Sequence, residues 1–124
     1  MLLGNLYEGK LFYPPGHERE SFEGTFINDQ PLKGKLIYSN GSTYDGSFNN
    51  DKRNGYGQYN TGGYQYTGTW KDDKCDGHGI SSYDSGNVYE GEYCDGQRHG
   101  QGRYVKADGT VVHDGRWNHN EAKK

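Results

Sequence analysis

One five-residue pattern recurs at nearly constant spacing along this chain of 124 residues. Its order is aromatic, any residue, glycine, any residue, aromatic. The copies are Phe22-Glu23-Gly24-Thr25-Phe26, Tyr44-Asp45-Gly46-Ser47-Phe48, Tyr66-Thr67-Gly68-Thr69-Trp70, Tyr89-Glu90-Gly91-Glu92-Tyr93 and His113-Asp114-Gly115-Arg116-Trp117. The last copy departs from the pattern by carrying His113 where the first aromatic ring should be. Intervals of 22 to 24 residues between the copies predict a tandem repeat built from one small supersecondary unit.

Glycine elements between the copies divide each unit into two strands. Gly-any-Gly occurs at Gly55-Tyr56-Gly57, Gly77-His78-Gly79 and Gly100-Gln101-Gly102, with a remnant at Leu32-Lys33-Gly34. Turn dipeptides follow at Asn40-Gly41, Gly62-Gly63, Ser85-Gly86 and Asp108-Gly109, and they supply the positive φ that tight hairpin turns need. Each unit is therefore predicted to be a β-hairpin, and the polar run 49–54 is predicted to lead to the next one. No segment shows a sustained helical period.

The alternation of side chains along a strand explains the spacing within the motif. Tyr44, Gly46 and Phe48 share one face of their strand, while Asp45 and Ser47 point to the other face. Glycine leaves a gap in the pleated surface over which a cross-strand ring can lie flat. The repeat therefore predicts an elongated single-layer sheet with a ladder of aromatic rings along one face.

The composition supports a thin aromatic layer instead of a two-layer core. Hydrophobic residues make up only 29% of the chain, but it contains 12 Tyr, 4 Phe and 2 Trp. Aromatic rings bury large areas at low entropic cost, and the net charge of −3 causes little self-repulsion, so disorder is not expected. The basic residues are scattered, so no nucleic-acid partner is predicted.

No targeting or membrane segment is predicted, because Met1-Leu2-Leu3 is followed at once by Gly4 and Asn5. Cys75 and Cys94 are too few for a disulfide framework, and both are expected to be reduced thiols. The expected location is the cytoplasm.

The motifs resemble the MORN (membrane occupation and recognition nexus) repeat. The likeness is clearest at Tyr89-Glu90-Gly91-Glu92-Tyr93, at 96–104 and at Asp108-Gly109-Thr110, and it covers 22–117 well. It implies an all-β, elongated single-layer antiparallel sheet of consecutive MORN-type β-hairpins. Members of the family are commonly adaptors at cytoskeletal, ciliary or membrane-contact structures, and some bind extended or helical peptides along the groove of the sheet. Lipid binding has also been proposed for the family.

The repeat suggests a division of the chain into three parts. Residues 1–21 form an N-terminal edge strand and degenerate half-repeat, 22–117 the hairpin repeats, and 118–124 a polar C-terminal tail. Within the first part, Tyr7-Glu8-Gly9-Lys10-Leu11 resembles the motif. The preferred alternative makes Gly9-Lys10-Leu11-Phe12-Tyr13 the first strand of a hairpin whose loop contains Pro14-Pro15-Gly16, with 1–8 as an edge strand or cap.

No catalytic, metal or cofactor site is predicted. Gly-any-Gly lacks the following helix that a phosphate loop needs. The five histidines have no ligand spacing to a Cys or carboxylate partner, and 72–77 lacks the alternating ligands of a calcium loop. No nucleophile motif occurs, so the chain is expected not to be an enzyme.

The aromatic ladder is the one feature with two serious interpretations, namely core and binding surface. The predicted partner-binding residues are Phe26, Phe48, Trp70, Tyr93, Trp117, Tyr44, Tyr66 and Tyr89. Phe48, Trp70, Tyr93 and Trp117 are favoured for contact, whereas Tyr44, Tyr66 and Tyr89 are favoured for packing.

Three functions remain in competition. The first is a protein-binding adaptor that captures a peptide or helix. The second is a membrane-surface module for acidic lipid, which the net charge disfavours. The third is a structural subunit that forms a homodimer or a larger cytoskeletal or ciliary assembly through its sheet edges.

Overall fold

The computed structural model describes residues 5–123. They form one open antiparallel sheet of 11 strands, in which every strand pairs with its neighbours in sequence. The strands are β1 (Leu6–Phe12), β2 (Arg19–Ile27), β3 (Gln30–Tyr38), β4 (Thr43–Asn49), β5 (Lys52–Thr61), β6 (Tyr64–Lys71), β7 (Lys74–Ser82), β8 (Val88–Cys94), β9 (Gln97–Val105), β10 (Val111–Asn118) and β11 (Glu121–Ala122). No described residue lies in a helix. The predicted all-β sheet of consecutive hairpins is confirmed.

Two kinds of tight turn alternate along the sheet. The predicted glycine turns join β3 to β4, β5 to β6, β7 to β8 and β9 to β10. The connections between these hairpins are two-residue turns with positive φ at both positions: Asn28-Asp29, Asn50-Asp51, Asp72-Asp73, Asp95-Gly96 and His119-Asn120. The prediction of a longer polar connection over 49–54 was wrong, since Lys52 already begins β5. Asn and Asp tolerate positive φ because their side chains bond the local backbone, so these turns need little glycine.

A line of paired glycines crosses the sheet from β1 to β10. Each glycine lies directly opposite the next, in the order Gly9, Gly24, Gly34, Gly46, Gly57, Gly68, Gly79, Gly91, Gly102 and Gly115. The motif glycine and the second glycine of Gly-any-Gly therefore serve one purpose on neighbouring strands. They clear a single channel along one face of the sheet, and the rings of the motif fill it.

The two ends of the chain differ in part from the expectation. Strand β1 is continuous from Leu6 to Phe12, so Leu6, Tyr7 and Glu8 belong to the first hairpin and do not form a separate edge strand. Its loop contains Pro14-Pro15-Gly16. In the C-terminal segment, Glu121–Ala122 forms β11 against the end of β10. Residues 1–4 and 124 lie outside the described part of the chain, and the division at 21 and 117 stays a prediction.

Candidate binding face

The rings of the repeated motif form one unbroken zigzag on the inner face, which we define as the face that carries the glycine line. Within a motif the first ring contacts the second, as in Tyr66 and Trp70 at 5.2 Å between centroids. Between motifs the first ring contacts the second ring of the following motif, as in Tyr66 and Tyr93 at 5.2 Å. All of these pairs are edge-to-face, with interplanar angles of 79–89°. The zigzag is called the ring ladder below, and it is the core of the sheet.

Burial of the ring ladder corrects one expectation about the predicted site. Tyr44, Tyr66 and Tyr89 are fully buried, in keeping with the packing role favoured for them. The second rings were expected to stay partly exposed. Phe26, Phe48, Trp70, Tyr93 and Trp117 retain only 4–7% exposure. The reason is the glycine channel together with the preceding repeat, whose first ring covers the second ring of the following motif; Tyr7 covers Phe26. Partner contact by these eight residues stays a prediction.

The buried tyrosine hydroxyls cap backbone carbonyls at β-bulges. The register between β6 and β7 shifts between Gly68 and Trp70, so Thr69 has no partner residue on β7. The Tyr66 hydroxyl donates to the Thr69 carbonyl oxygen at 2.9 Å. Equivalent bonds join Tyr44 to Ser47 at 2.7 Å and Tyr89 to Glu92 at 2.8 Å. Each first tyrosine of the motif therefore both fills the channel and satisfies a polar group three residues later.

His113 takes the same role in the last copy of the motif. Its Nε2 lies 2.9 Å from the Arg116 carbonyl oxygen, again three residues later, and its ring meets Trp117 edge-on at 5.2 Å. A carbonyl can only accept, so Nε2 is the protonated nitrogen in this bond. The departure from the aromatic pattern at His113 thus preserves both contacts of the tyrosine it replaces.

A second set of aromatic side chains on the inner face is only partly buried. It consists of Tyr13, Tyr38, Tyr59, Tyr64, Tyr83 and Tyr104, which pack against the ring ladder and are called the tyrosine row below. Neighbouring members touch, as in Tyr83 stacked on Tyr104 at 5.9 Å and Tyr64 against Tyr83 at 5.4 Å. The tyrosine row, and not the ladder, gives the inner face its accessible aromatic surface.

Three arginines lie over these rings. Arg53 is 4.5 Å from the centroid of Trp70 and 5.5 Å from that of Tyr59. Arg98 is 4.7 Å from Trp117 and 5.3 Å from Tyr104. Arg19 lies over Tyr13 at 5.9 Å. Guanidinium groups stack favourably on ring faces, so the accessible inner face combines aromatic carbon, phenolic hydroxyls and positive charge.

Sequence reasoning missed the tyrosine row and the arginines, although both leave a signal. Tyr38 and Tyr83 directly precede turn segments and share a strand face with the inner-face glycines, which the alternation rule identifies. Arg53 and Arg98 each follow a two-residue turn by two positions. The sequence analysis considered only the motif, and these residues lie outside its five copies.

The outer face is more polar and carries only scattered apolar side chains. Tyr56 is 65% exposed and Ile80 38% exposed. His78 lies 3.6 Å from Glu90, and Arg103 lies 3.9 Å from Asp114. Such exposed pairs stabilise little and organise no apolar surface.

No group of three or more His, Cys, Asp or Glu side chains within 5–123 is placed to hold a metal ion. Cys75 and Cys94 are free thiols, and burial raises the pKa of Cys75 to about 12, so its thiol stays protonated near neutral pH. The described segment also contains no helix of the length and apolarity that crossing a bilayer requires.

A family model described as MORN repeat matches the chain at 44–63, 66–88 and 89–111. These three consecutive matches span β4 to the start of β10 and include the second, third and fourth copies of the motif. No curated protein matches the chain.

Proposed function

The chain belongs to the MORN repeat family, and from that premise we propose that it is a non-enzymatic adaptor whose inner face captures a partner peptide or helix. MORN repeats are non-catalytic modules that generally mediate interactions with proteins or membranes. The choice of a protein partner, and of the inner face as its binding surface, goes beyond what the family establishes.

The observation that carries this proposal is the tyrosine row, in which Tyr38 packs on Tyr59, and Tyr83 packs between Tyr64 and Tyr104. Partly exposed tyrosines beside a rigid core offer apolar contact area and a hydrogen-bonding tip at little conformational cost. Arginine and tyrosine are also the residue types that most often dominate binding energy at protein interfaces. The outer face presents Tyr56 and Ile80 as scattered apolar side chains and has no comparable row.

A peptide suited to this face would be amphipathic. Its apolar side chains would lie against the ring faces of residues such as Tyr83 and Tyr104. Its polar groups would meet the phenolic hydroxyls and the guanidinium groups of the arginines. An extended strand or one face of a helix can present side chains in this way.

A matched pair of tyrosine substitutions tests the proposal. Peptides are selected from a random-peptide display library against the full chain, and their affinity is measured by calorimetry. Tyr83→Ser should weaken binding about tenfold or more, because a partly exposed ring between Tyr64 and Tyr104 is lost. Tyr56→Ser removes an exposed ring from the outer face and should leave affinity unchanged. Failure to select any peptide, or equal effects of the two substitutions, would contradict the proposal.

An assembly through the sheet edge is a second candidate, favoured by β1. No described residue pairs with the outer edge of this strand, and Leu6 and Phe12 are 61% and 69% exposed. An open strand with apolar side chains is a template for pairing with a second copy. Light scattering over a concentration series should then show a dimer that Phe12→Lys dissociates; a monomer at every concentration would eliminate this candidate.

An acidic-lipid surface ranks third. Of the three arginines on the inner face, Arg19 and Arg53 already contact Asp51 and Asp73. This leaves little unpaired positive charge for a headgroup layer, which attracts clusters of several basic residues. For the adaptor we propose a cytoplasmic location, with attachment to cytoskeletal, ciliary or membrane structures through its partner.

A further inference from the structure

The three inner-face arginines differ in their partners. The Arg53 Nε donates to Asp73 Oδ1 at 3.2 Å, and its Nη2 donates to the Asp73 carbonyl at 2.9 Å. Arg19 donates to Asp51 Oδ1 at 2.8 Å. Both guanidinium groups therefore contact a carboxylate on a two-residue turn, the turn between β4 and β5 for Arg19 and the turn between β6 and β7 for Arg53.

Arg98 stands at the position equivalent to Arg53 but meets an amide. Its backbone N–H donates to Asn120 Oδ1 at 2.8 Å, as that of Arg53 does to Asp73 Oδ1. Its Nη2 donates to the Asn120 carbonyl at 3.2 Å. The turn geometry is conserved between the two sites, with φ of 71° at Asn120 and 70° at Asp73. The two sites differ in charge, because Asn120 gives Arg98 an amide where Asp73 gives Arg53 a carboxylate.

The charge of Arg98 is held in place without a carboxylate. Rings of Tyr89, Tyr104 and Trp117 surround its guanidinium at 4.7–5.7 Å. Within 5–123, no Asp or Glu oxygen lies within 4.0 Å of it. A guanidinium has five N–H donors, and the Nε and Nη1 of Arg98 make no hydrogen bond to the described residues. These free donors can form charge-assisted hydrogen bonds to a carboxylate.

We propose that Arg98 is the specificity residue of the inner face and that it binds the carboxylate of an Asp or Glu side chain in the partner peptide. This inference rests on the proposed peptide-binding function and adds the chemistry that the peptide must carry. The partner's carboxylate supplies to Arg98 the countercharge that Asp73 supplies to Arg53. Its apolar neighbours lie on Tyr104 and the rest of the tyrosine row.

The test compares two matched arginines in one spectrum. Arginine Nε–Hε resonances of the full chain are followed during titration with sodium acetate. They are then followed with a peptide of alternating leucine and glutamate, and with its leucine–glutamine counterpart. The Arg98 resonance should shift saturably with acetate and with the glutamate peptide, and the Arg53 resonance should not, because Asp73 already occupies its donors. The glutamine peptide should bind about tenfold more weakly.

Two exchanges between the sites give the decisive variants. Asn120→Asp supplies the missing internal carboxylate and should abolish the Arg98 response, while Asp73→Asn should create a response at Arg53. Arg98→Gln, a second variant that leaves the turn unchanged, should remove the preference for glutamate over glutamine. Equal shifts of Arg53 and Arg98 in the unaltered chain, or an Asn120→Asp variant that still responds, would overturn the inference.

The outcomes separate this inference from the function on which it rests. Suppose that Tyr83→Ser weakens peptide binding but Asn120→Asp leaves it unchanged. This outcome would support the adaptor function and contradict the role of Arg98. If Arg98 responds to acetate but no peptide binds, the result would contradict the adaptor function and support the carboxylate site at Arg98.

Discussion

At the scale of single residues, the pairing of one glycine with one ring explains the conserved geometry of every unit. A Cβ on Gly79 would lie 2.3 Å from the Tyr66 hydroxyl oxygen. The same relation joins Gly57 to Tyr44 and Gly102 to Tyr89. No side chain fits at these positions unless the ring leaves its channel, so the glycines are required by space and not by backbone flexibility.

A prediction for Gly79 follows from this close approach. Gly79→Ala should lower the free energy of unfolding by about 2–3 kcal/mol, because Tyr66 must move away from both its channel and the Thr69 carbonyl. Gly9→Ala is the matched control on the same glycine line, since a Cβ there meets its nearest atom at an ordinary 3.5 Å. Urea unfolding followed by circular dichroism measures both. Equal losses in the two variants would contradict the account.

Sequence reasoning predicted these residue relations only in part. The alternation of Tyr44, Gly46 and Phe48 was sufficient to place rings and glycine on one face, because strand periodicity is local. The extent to which Trp70 is buried depends on Tyr66 and on Tyr44 of the preceding motif, which contact it at 5.2 and 5.4 Å. The register between strands determines this coverage, and the sequence of a single motif does not predict that register.

At the scale of strands and turns, β-bulges set the register that brings the rings together. Shifts occur at matching places between β4 and β5, β6 and β7, and β8 and β9. At each shift, a tyrosine hydroxyl donates to the carbonyl of the residue that the register leaves unpaired. The glycine turns were predictable from their dipeptides, whereas the bulges and the Asn-Asp turns carry weaker sequence signals and were missed.

Alkaline pH should destabilise these strands. Burial raises the pKa of Tyr66 and Tyr93 well above the ordinary value and that of Tyr89 to about 12. The unfolded chain loses phenolic protons at about pH 10, whereas the folded sheet retains them. The contribution of these groups to the free energy of unfolding is therefore at its maximum below that pH and decreases above it. Each such tyrosine contributes a slope of about 1.4 kcal/mol per pH unit.

Urea unfolding at a series of pH values measures this fall, with Tyr66→Phe and Tyr56→Phe compared against the unaltered chain. Tyr66→Phe should make the decline shallower, because one buried phenol no longer titrates. Tyr56 is exposed, so its substitution should leave the slope unchanged. A decline that both variants alter equally would show that buried phenols are not its source.

At the scale of the whole molecule, the repeats stabilise one another through contacts that cross unit boundaries. The ring ladder links each motif to the next, and Arg19–Asp51 and Arg53–Asp73 join successive turns on the same face. Edge-to-face pairs add about 0.5–1.5 kcal/mol each beyond the area that they bury. Such nearest-neighbour coupling gives a one-layer sheet a rigid inner face without a second layer.

The aromatic residues of the inner face form two groups with different roles, the ring ladder and the tyrosine row. The rings of the ladder are buried and stabilise the sheet, and the tyrosine row beside them remains partly accessible. The sequence motif marks the first group, whereas the second group and Arg98 are the residues that we assign to recognition. The two groups therefore respond differently to substitution, with ladder positions affecting stability and row positions affecting affinity.

The contact map of a bound peptide tests most directly whether recognition takes place on the inner face. Intermolecular nuclear Overhauser effects between a selected peptide and the tyrosine rings of the full chain provide that map. We predict contacts from the peptide to Tyr83 and Tyr104 and none to Tyr56. Contacts to Tyr56 and Ile80 on the outer face, with none to the tyrosine row, would contradict the account.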